Sequence, residues 1–269
     1  LFRTAPSLSS NSNISFVSGG DMEWSKAGIE LTRVIGREKP LFAIIGGDIA
    51  YENGIPHCYM VMDRWFHNWE RYTERDDGYS TPILTAIGNH EAGGFRKKRK
   101  QAAFYFRYFP HEIGLKSLQS APSYHEHVFA QHTVIYILDS HVIAPIKGTQ
   151  TDWLKNRTVH IPADRTNRIA IYHASAYPVR PTEIADIVYD LRTYMVPVFE
   201  QYDFSVVFEH HHHVYFESLP IRDTRVVMDE HTERGIRYLG QGAWGLTPRQ
   251  VSAKMWYLDQ HHAWSHVYH

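Results

Sequence analysis

The sequence predicts an α/β protein with a substantially parallel core. Short runs of about four to six β-branched or apolar residues recur along the chain, each bounded by glycine or polar residues, as strands buried on both faces are. Segments with apolar residues at helical spacing lie between several of these runs, and such alternation builds parallel sheets. Almost every run also ends in Asp, Asn or His. In open α/β sheets, ligands gather beyond the carboxyl ends of the strands.

The elements follow in order. Residues 1–13 are rich in Ser, Asn and Pro and read as a linker. A first strand at 14–17 leads into Gly19-Gly20-Asp21, and a helix over 24–37 carries Ile29, Val34 and Ile35. The run 41–45 precedes Gly46-Gly47-Asp48. A helix over 59–75 carries Met62, Trp65, Trp69 and Tyr72 on one face, read as core, with Pro82 shortly after its end. The run 83–87 precedes Gly88-Asn89-His90, 133–138 precedes Asp139, and 169–172 precedes His173. A helix over 181–201 opens with Pro181-Thr182-Glu183 and carries Ile184, Ile187, Val188 and Leu191. The run 205–208 leads into the four histidines 210–213.

Composition narrows the function. With Lys+Arg 28 against Asp+Glu 29 the net charge is −1, which argues against a nucleic-acid wrapper or a basic membrane-surface protein. No uncharged apolar run approaches the ~18 residues of a membrane span. The one cysteine, Cys58, excludes both a disulfide scaffold and a cysteine-built zinc site. Nineteen histidines are more than a core needs, so a subset of them is expected to bind metal or move protons. Asn13-Ile14-Ser15 and Asn156-Arg157-Thr158 fit the glycosylation pattern.

The strand ends supply Asp21, Asp48, Asn89, His173, His211 and His213. This donor set has carboxylate, amide oxygen and imidazole but no sulfur, and it suits Fe, Mn or Zn better than calcium. Loops converging on one face can hold two metals, which at a separation of ~3.5–4 Å clamp both oxygens of a phosphoryl displacement. In an extended segment alternate residues share a face, so His211 and His213 go together while His210 and His212 point elsewhere.

The ordered series Gly20-Asp21, Gly47-Asp48-Ile49-Ala50-Tyr51, Gly88-Asn89-His90-Glu91, Ala170-Ile171-Tyr172-His173 and His211-His212-His213 resembles the five-block signature of calcineurin-like metallophosphoesterases. Tyr51, three residues after Asp48, narrows the resemblance to the purple acid phosphatases. The likeness covers roughly residues 14–245. It implies a four-layer α/β/β/α sandwich with mixed sheets and a metal site at strand carboxyl ends. It also implies that Asp48 bridges two metals. Asp21, Tyr51 and His213 would complete the first site, and Asn89, His173 and His211 the second. The implied ions are Fe(III), held by a tyrosinate, and Zn, Mn or Fe(II).

The implied activity is hydrolysis of a phosphate monoester, with a metal-activated hydroxide as nucleophile and His90 protonating the leaving alkoxide. A calcineurin-like phosphodiesterase or nucleotidase that does not use Tyr51 is the alternative, as is a catalytically degenerate metal-binding relative. The expected partner is a small phosphorylated substrate, with no nucleic acid or membrane. The expected location is secreted, periplasmic or lysosomal/vacuolar.

By the same resemblance, residues 1–13 are the remnant of a preceding β-sandwich domain and 14–269 the catalytic domain. The sequence departs from the pattern at Glu23, His210 and Phe216-Glu217. It also lacks the histidine pair that plant-type members carry nine and ten residues after the His173 position; Val179-Arg180-Pro181-Thr182-Glu183 stands there. Tyr177 and Arg180 are the expected substitutes for that pair at the phosphate, since an arginine fork suits phosphate.

Overall fold

A computed structural model of the chain describes residues 1–73, 76–110, 120–162, 166–181, 184–251 and 255–262. The expected helix end at Arg75, the Thr182-Glu183 helix opening and histidines 111, 266 and 269 lie outside the described residues.

Strands β1 (Phe16–Gly19), β2 (Phe42–Ile45) and β3 (Ile83–Thr85) form a small parallel sheet in that order. The crossovers are helices α1 (Lys26–Glu38) and α2 (Tyr59–Tyr72). α1 starts at Ser25, whose Oγ accepts the Gly28 N–H at 3.2 Å, and so satisfies one of the free amides of the first turn. It stops at Lys39, which turns left-handed at φ 53° and returns its N–H to the Ile35 carbonyl. Trp65 and Trp69 on α2 stack at 5.4 Å beneath the sheet, with Ile35, Ala43, Ile45 and Ile87 around them. Helix α3 (Ala103–Tyr108) adds Tyr105 and Phe106 to the same layer.

The second sheet is mixed and, among the described residues, has seven strands, in the order β12 (Leu258–His262), β8 (Tyr215–Ser218), β11 (Arg237–Gln241), β7 (Val206–Glu209), β6 (Asn167–Tyr172), β5 (Thr133–Ile137) and β4 (His125–Phe129). β4 lies antiparallel to β5. β5, β6, β7 and β11 run parallel. β8 and β12 complete it antiparallel. A short ribbon, β9 (Ile221–Arg222) with β10 (Arg225–Val226), stands apart.

Alternation along the central strands creates the layers. Ile135, Ile137, Ile169 and Ile171 face Phe42 and Ile44 between the two sheets. Their neighbours Val134, Tyr136, Ala170 and Tyr172 face outward, against helices α4 (Thr151–Val159), α5 (Ala185–Asp190) and α6 (Val196–Gln201). The result is the expected α/β/β/α sandwich. The expected helix 181–201 is interrupted over Leu191–Met195, where the Val196 N–H reaches back five residues to the Leu191 carbonyl. Pro197 follows at once and has no N–H to continue the regular ladder. Among the described residues no helix is long and apolar enough to cross a membrane.

Candidate metal centre

The parallel strands of both sheets end on one side of the molecule, and the loops beyond those ends hold the donors. The first loop turns after β1 at Asp21 (φ 55°), and the second turns after β2 at Asp48 (φ 52°) and Tyr51 (φ 59°). All three are left-handed backbone positions in residues that carry a Cβ. Such positions are held only when the surroundings over-determine them. Asp21 and Asp48 are fully buried.

Two groups of donors result. Around Asp21 Oδ1 lie His213 Nε2 at 3.0 Å and the Tyr51 hydroxyl at 3.1 Å. Around His173 Nε2 lie Asn89 Oδ1 at 3.0 Å, Asp48 Oδ2 at 3.2 Å and His211 Nδ1 at 3.2 Å. One ligand atom each from Asp48, His173 and His211 falls within 4.8 Å of the others. All seven side chains predicted to bind metal therefore converge. His211 and His213 both face the site, whereas His210 turns away and donates Nδ1–H to the Gln241 carbonyl at 3.0 Å.

The surroundings orient these donors. His173 Nδ1 sits 2.9 Å from the Gly46 carbonyl, which can only accept, so Nε2 is the nitrogen presented to the site. Phe95 lies edge-on to His211 with ring centres 5.4 Å apart. Glu91 is buried, and its two oxygens accept three amides: Gly88 at 2.7 Å, Asp48 at 2.9 Å and Ile49 at 2.7 Å. It thereby fastens the Asp48 loop to the Asn89 turn. Gly88 passes so close that a Cβ there would meet Asp48 N and Oδ1 at 2.3 Å. Asp139 is no ligand; its carboxylate gathers the Val142, Ile143 and Ala144 amides and the Ser123 hydroxyl. Ser140 beside it accepts the Ala174 amide next to His173.

The electrostatics fit cations at this place. Burial, and then the Asp48 charge, lift Asp21 to about 6 against the pull of His213 and His173. Burial, with Asp21 and Asp48 beside it, pushes the Tyr51 phenol far above its ordinary value. Burial opposes charge on both His173 and Asp48, yet their mutual attraction wins. It raises His173 to about 10 and holds Asp48 below the carboxylate range. Asp21 Oδ2 is buried with no hydrogen-bond partner. Two buried carboxylates, one with an unmatched oxygen, a phenol aimed at one of them and three inward imidazoles are a set that metal ions would satisfy.

His90 sits at the lip, half-buried, its ring centre 4.2 Å from that of Tyr51. Its N–H donates to Asp48 Oδ1 at 2.8 Å, and its Nδ1 lies 2.5 Å from Asn53 Oδ1. Nε2 is 3.9 Å from Asp48 Oδ2 and makes no short contact there. Burial is the main cause of a lowered His90 pKa. Tyr177 does not join the site. It is 1% exposed, packed in the core against Tyr238 and Tyr257 with the Arg192 guanidinium over its ring. A side chain so enclosed cannot touch phosphate, which corrects the substrate role expected for it. Arg180 is half-buried, next to Val179, which packs with Val214 and Phe216. Glu91, Asn53, His212 and Arg249 are parts of the site region to which the sequence analysis gave no role. Glu91 and His212 lie inside signature blocks, Gly88–Glu91 and His211–His213, whereas Asn53 and Arg249 carry no local signal.

No family sequence model matches the chain, and no curated protein matches it. Solved structures do. A purple acid phosphatase, PPD1, from yellow lupin (Lupinus luteus) seeds superposes with a TM-score of 0.76 at 14% identity, over 97% of this chain and 50% of that one. GAP50, described as the anchor in the inner membrane complex of Plasmodium, gives 0.63 at 12% identity, over 93% and 78%. PhoD gives 0.63 at 11% identity, over 90% and 59%. The chain has the metallophosphoesterase fold, and it spans about half the length of the lupin protein.

Proposed function

We propose that a chain of this fold, with two donor groups meeting at its strand ends, is the catalytic part of a dinuclear metallophosphatase that hydrolyses phosphate monoesters. Asp21, Tyr51 and His213 would hold Fe(III). Asn89, His173 and His211 would hold Zn, Mn or Fe(II), with Asp48 shared between the ions. The observation that carries this reading is the pair of clusters around Asp21 Oδ1 and His173 Nε2. Two bound cations would polarise the phosphoryl oxygens and activate water near neutrality. The remaining work falls to the protein. Asn53 holds the His90 ring at Nδ1, leaving Nε2 to give its proton to the departing alkoxide. Glu91 keeps Asp48 and Asn89 in fixed relation, so the donors need not reorganise as charge develops.

The test combines metal analysis of the purified protein with a panel of phosphate monoesters and diesters. The reading expects two metals per chain, turnover of monoesters, and a visible tyrosinate–iron band lost in Tyr51→Phe. A band that survives that substitution, or turnover of diesters alone, would overturn it.

A further inference from the structure

The two sheets differ in width. Among the described residues the small sheet has three strands, and β1 is an edge of it. Beside that edge lies a cavity of about 490 Å³, and strands β7, β11 and β8 of the large sheet form its floor. On that floor Leu239 stands opposite Glu217, and Gln241 opposite Tyr215. Helix α1 supplies the roof through Leu31 and Ile35. One end is closed at Gly20. Its N–H donates to the Gln241 carbonyl at 2.9 Å, and its carbonyl accepts the Trp244 N–H at 3.2 Å.

The remaining wall is a strand edge. Ser15, Phe16, Val17, Ser18 and Gly19 all line the cavity. Successive side chains of a strand point to opposite faces, so a consecutive run places the cavity along the edge rather than against a face. The main-chain groups alternate as well. The Gly19 carbonyl accepts the Gly46 N–H on the β2 side at 2.7 Å, whereas the Gly20 N–H points the other way, to Gln241. By that alternation Phe16 and Ser18 turn their N–H and C=O groups toward the cavity. No strand pairs with them among the described residues. Such groups template a further strand. A strand laid between Leu31 and Ile35 above and Phe208 and Leu239 below would be buried on both faces, which asks for a continuous apolar run. At the other end stands Glu38, the exposed last residue of α1. Two neighbouring cations are engaged elsewhere, Arg33 with Glu30 and Lys39 with Asp76. That end therefore suits a lysine or arginine on the incoming segment.

We propose that this cavity takes an extended apolar peptide segment of another protein, basic at one end, as an additional strand beside β1. Main-chain hydrogen bonds to Phe16 and Ser18 supply the pairing, the apolar walls select the side chains, and Glu38 selects the charge. The site goes beyond the phosphatase reading and does not depend on it.

The probe is a fluorescein-labelled peptide of four valines with a lysine at each end, titrated with the full chain and read by fluorescence anisotropy. Saturable binding is expected. The same peptide with alternate valines N-methylated keeps its apolar surface and charge but loses donors, and should bind about tenfold more weakly or worse. S18P removes an N–H that faces the cavity and spares the ladder to β2, so it should weaken binding by a similar factor. E38Q should weaken it about two- to fivefold at low salt, with the difference lost at high salt. Should S18P not fold, the methylated peptide decides. Equal affinity for the two peptides, or no saturable binding of the unmethylated one, overturns the proposal. Binding that appears only after residues 263–269 are deleted assigns the cavity to the chain's own segment. A dimer that the peptide dissociates, seen by analytical ultracentrifugation, assigns it to a second copy. Either result overturns a foreign partner.

Discussion

At the scale of single residues, the partner of His90 shapes its chemistry. The partner is a neutral amide, Asn53, whose own φ of 56° shows the backbone turned to bring it there. With no carboxylate at Nδ1, burial dominates and the imidazolium is lost at lower pH than usual. An acid that must carry a proton loses activity as pH rises through its pKa. Asn53→Asp places a charge at that nitrogen, so the alkaline limb of kcat/KM should move upward by up to about one pH unit. A pH–rate profile checks this; a downward shift would contradict the assignment. His90→Ala should lower kcat by roughly 10²–10⁴ while metal content per chain stays at the wild-type value, because His90 is not among the donors.

At the scale of elements, the strands legible in the sequence are those buried on both faces. β2, β5 and β6 read as continuous apolar runs because one face meets the other sheet and the other meets helices. β4, with two histidines and a glutamate, and β12, with Asp259, Gln260 and two histidines, lie at the edges and carry no such run. The candidate ligands are legible because each follows a strand at short range. Asn53 and Glu91 act between the loop after β2 and the turn after β3, and nothing in their local sequence states that Asn53 meets the His90 ring or that Glu91 meets the Asp48 and Ile49 amides. The join they make can be tested. Glu91→Gln leaves one acceptor oxygen for three amides and sets an NH₂ against one of them, which should cost about 1–3 kcal/mol. Thermal denaturation should show that loss together with weaker metal retention. Gly88→Ala should lose metal as well, since the added methyl meets Asp48 at 2.3 Å; full metal content in that variant would show that the loops yield.

At the scale of the whole molecule, metal uptake is linked to protons and to stability. The metal-free His173 imidazolium persists to about 10 and Asp21 stays protonated up to about 6, whereas the metal requires both bare. Loading at pH 7 should therefore release protons from His173 and from the Tyr51 phenol, which is held far above its ordinary value, and affinity should rise with pH, more steeply below about 6. A metal titration in weakly buffered solution with a pH indicator measures this, and uptake without acidification would contradict it. Each ion at a hundred times its Kd should stabilise the fold by about 2.7 kcal/mol, read as a fall in Tm on chelation.

The donors divide between the sheets by chemical type. Every oxygen donor, Asp21, Asp48, Tyr51 and Asn89, comes from the loops of the small sheet; every nitrogen donor, His173, His211 and His213, comes from the large one. During synthesis the oxygen half therefore leaves the ribosome first, as a hard and incomplete half-shell suited to magnesium or calcium rather than iron or zinc. On the proposed reading, preference for iron or zinc over a hard ion would arrive only with the histidines, the last of them nearly two hundred residues after the first aspartate.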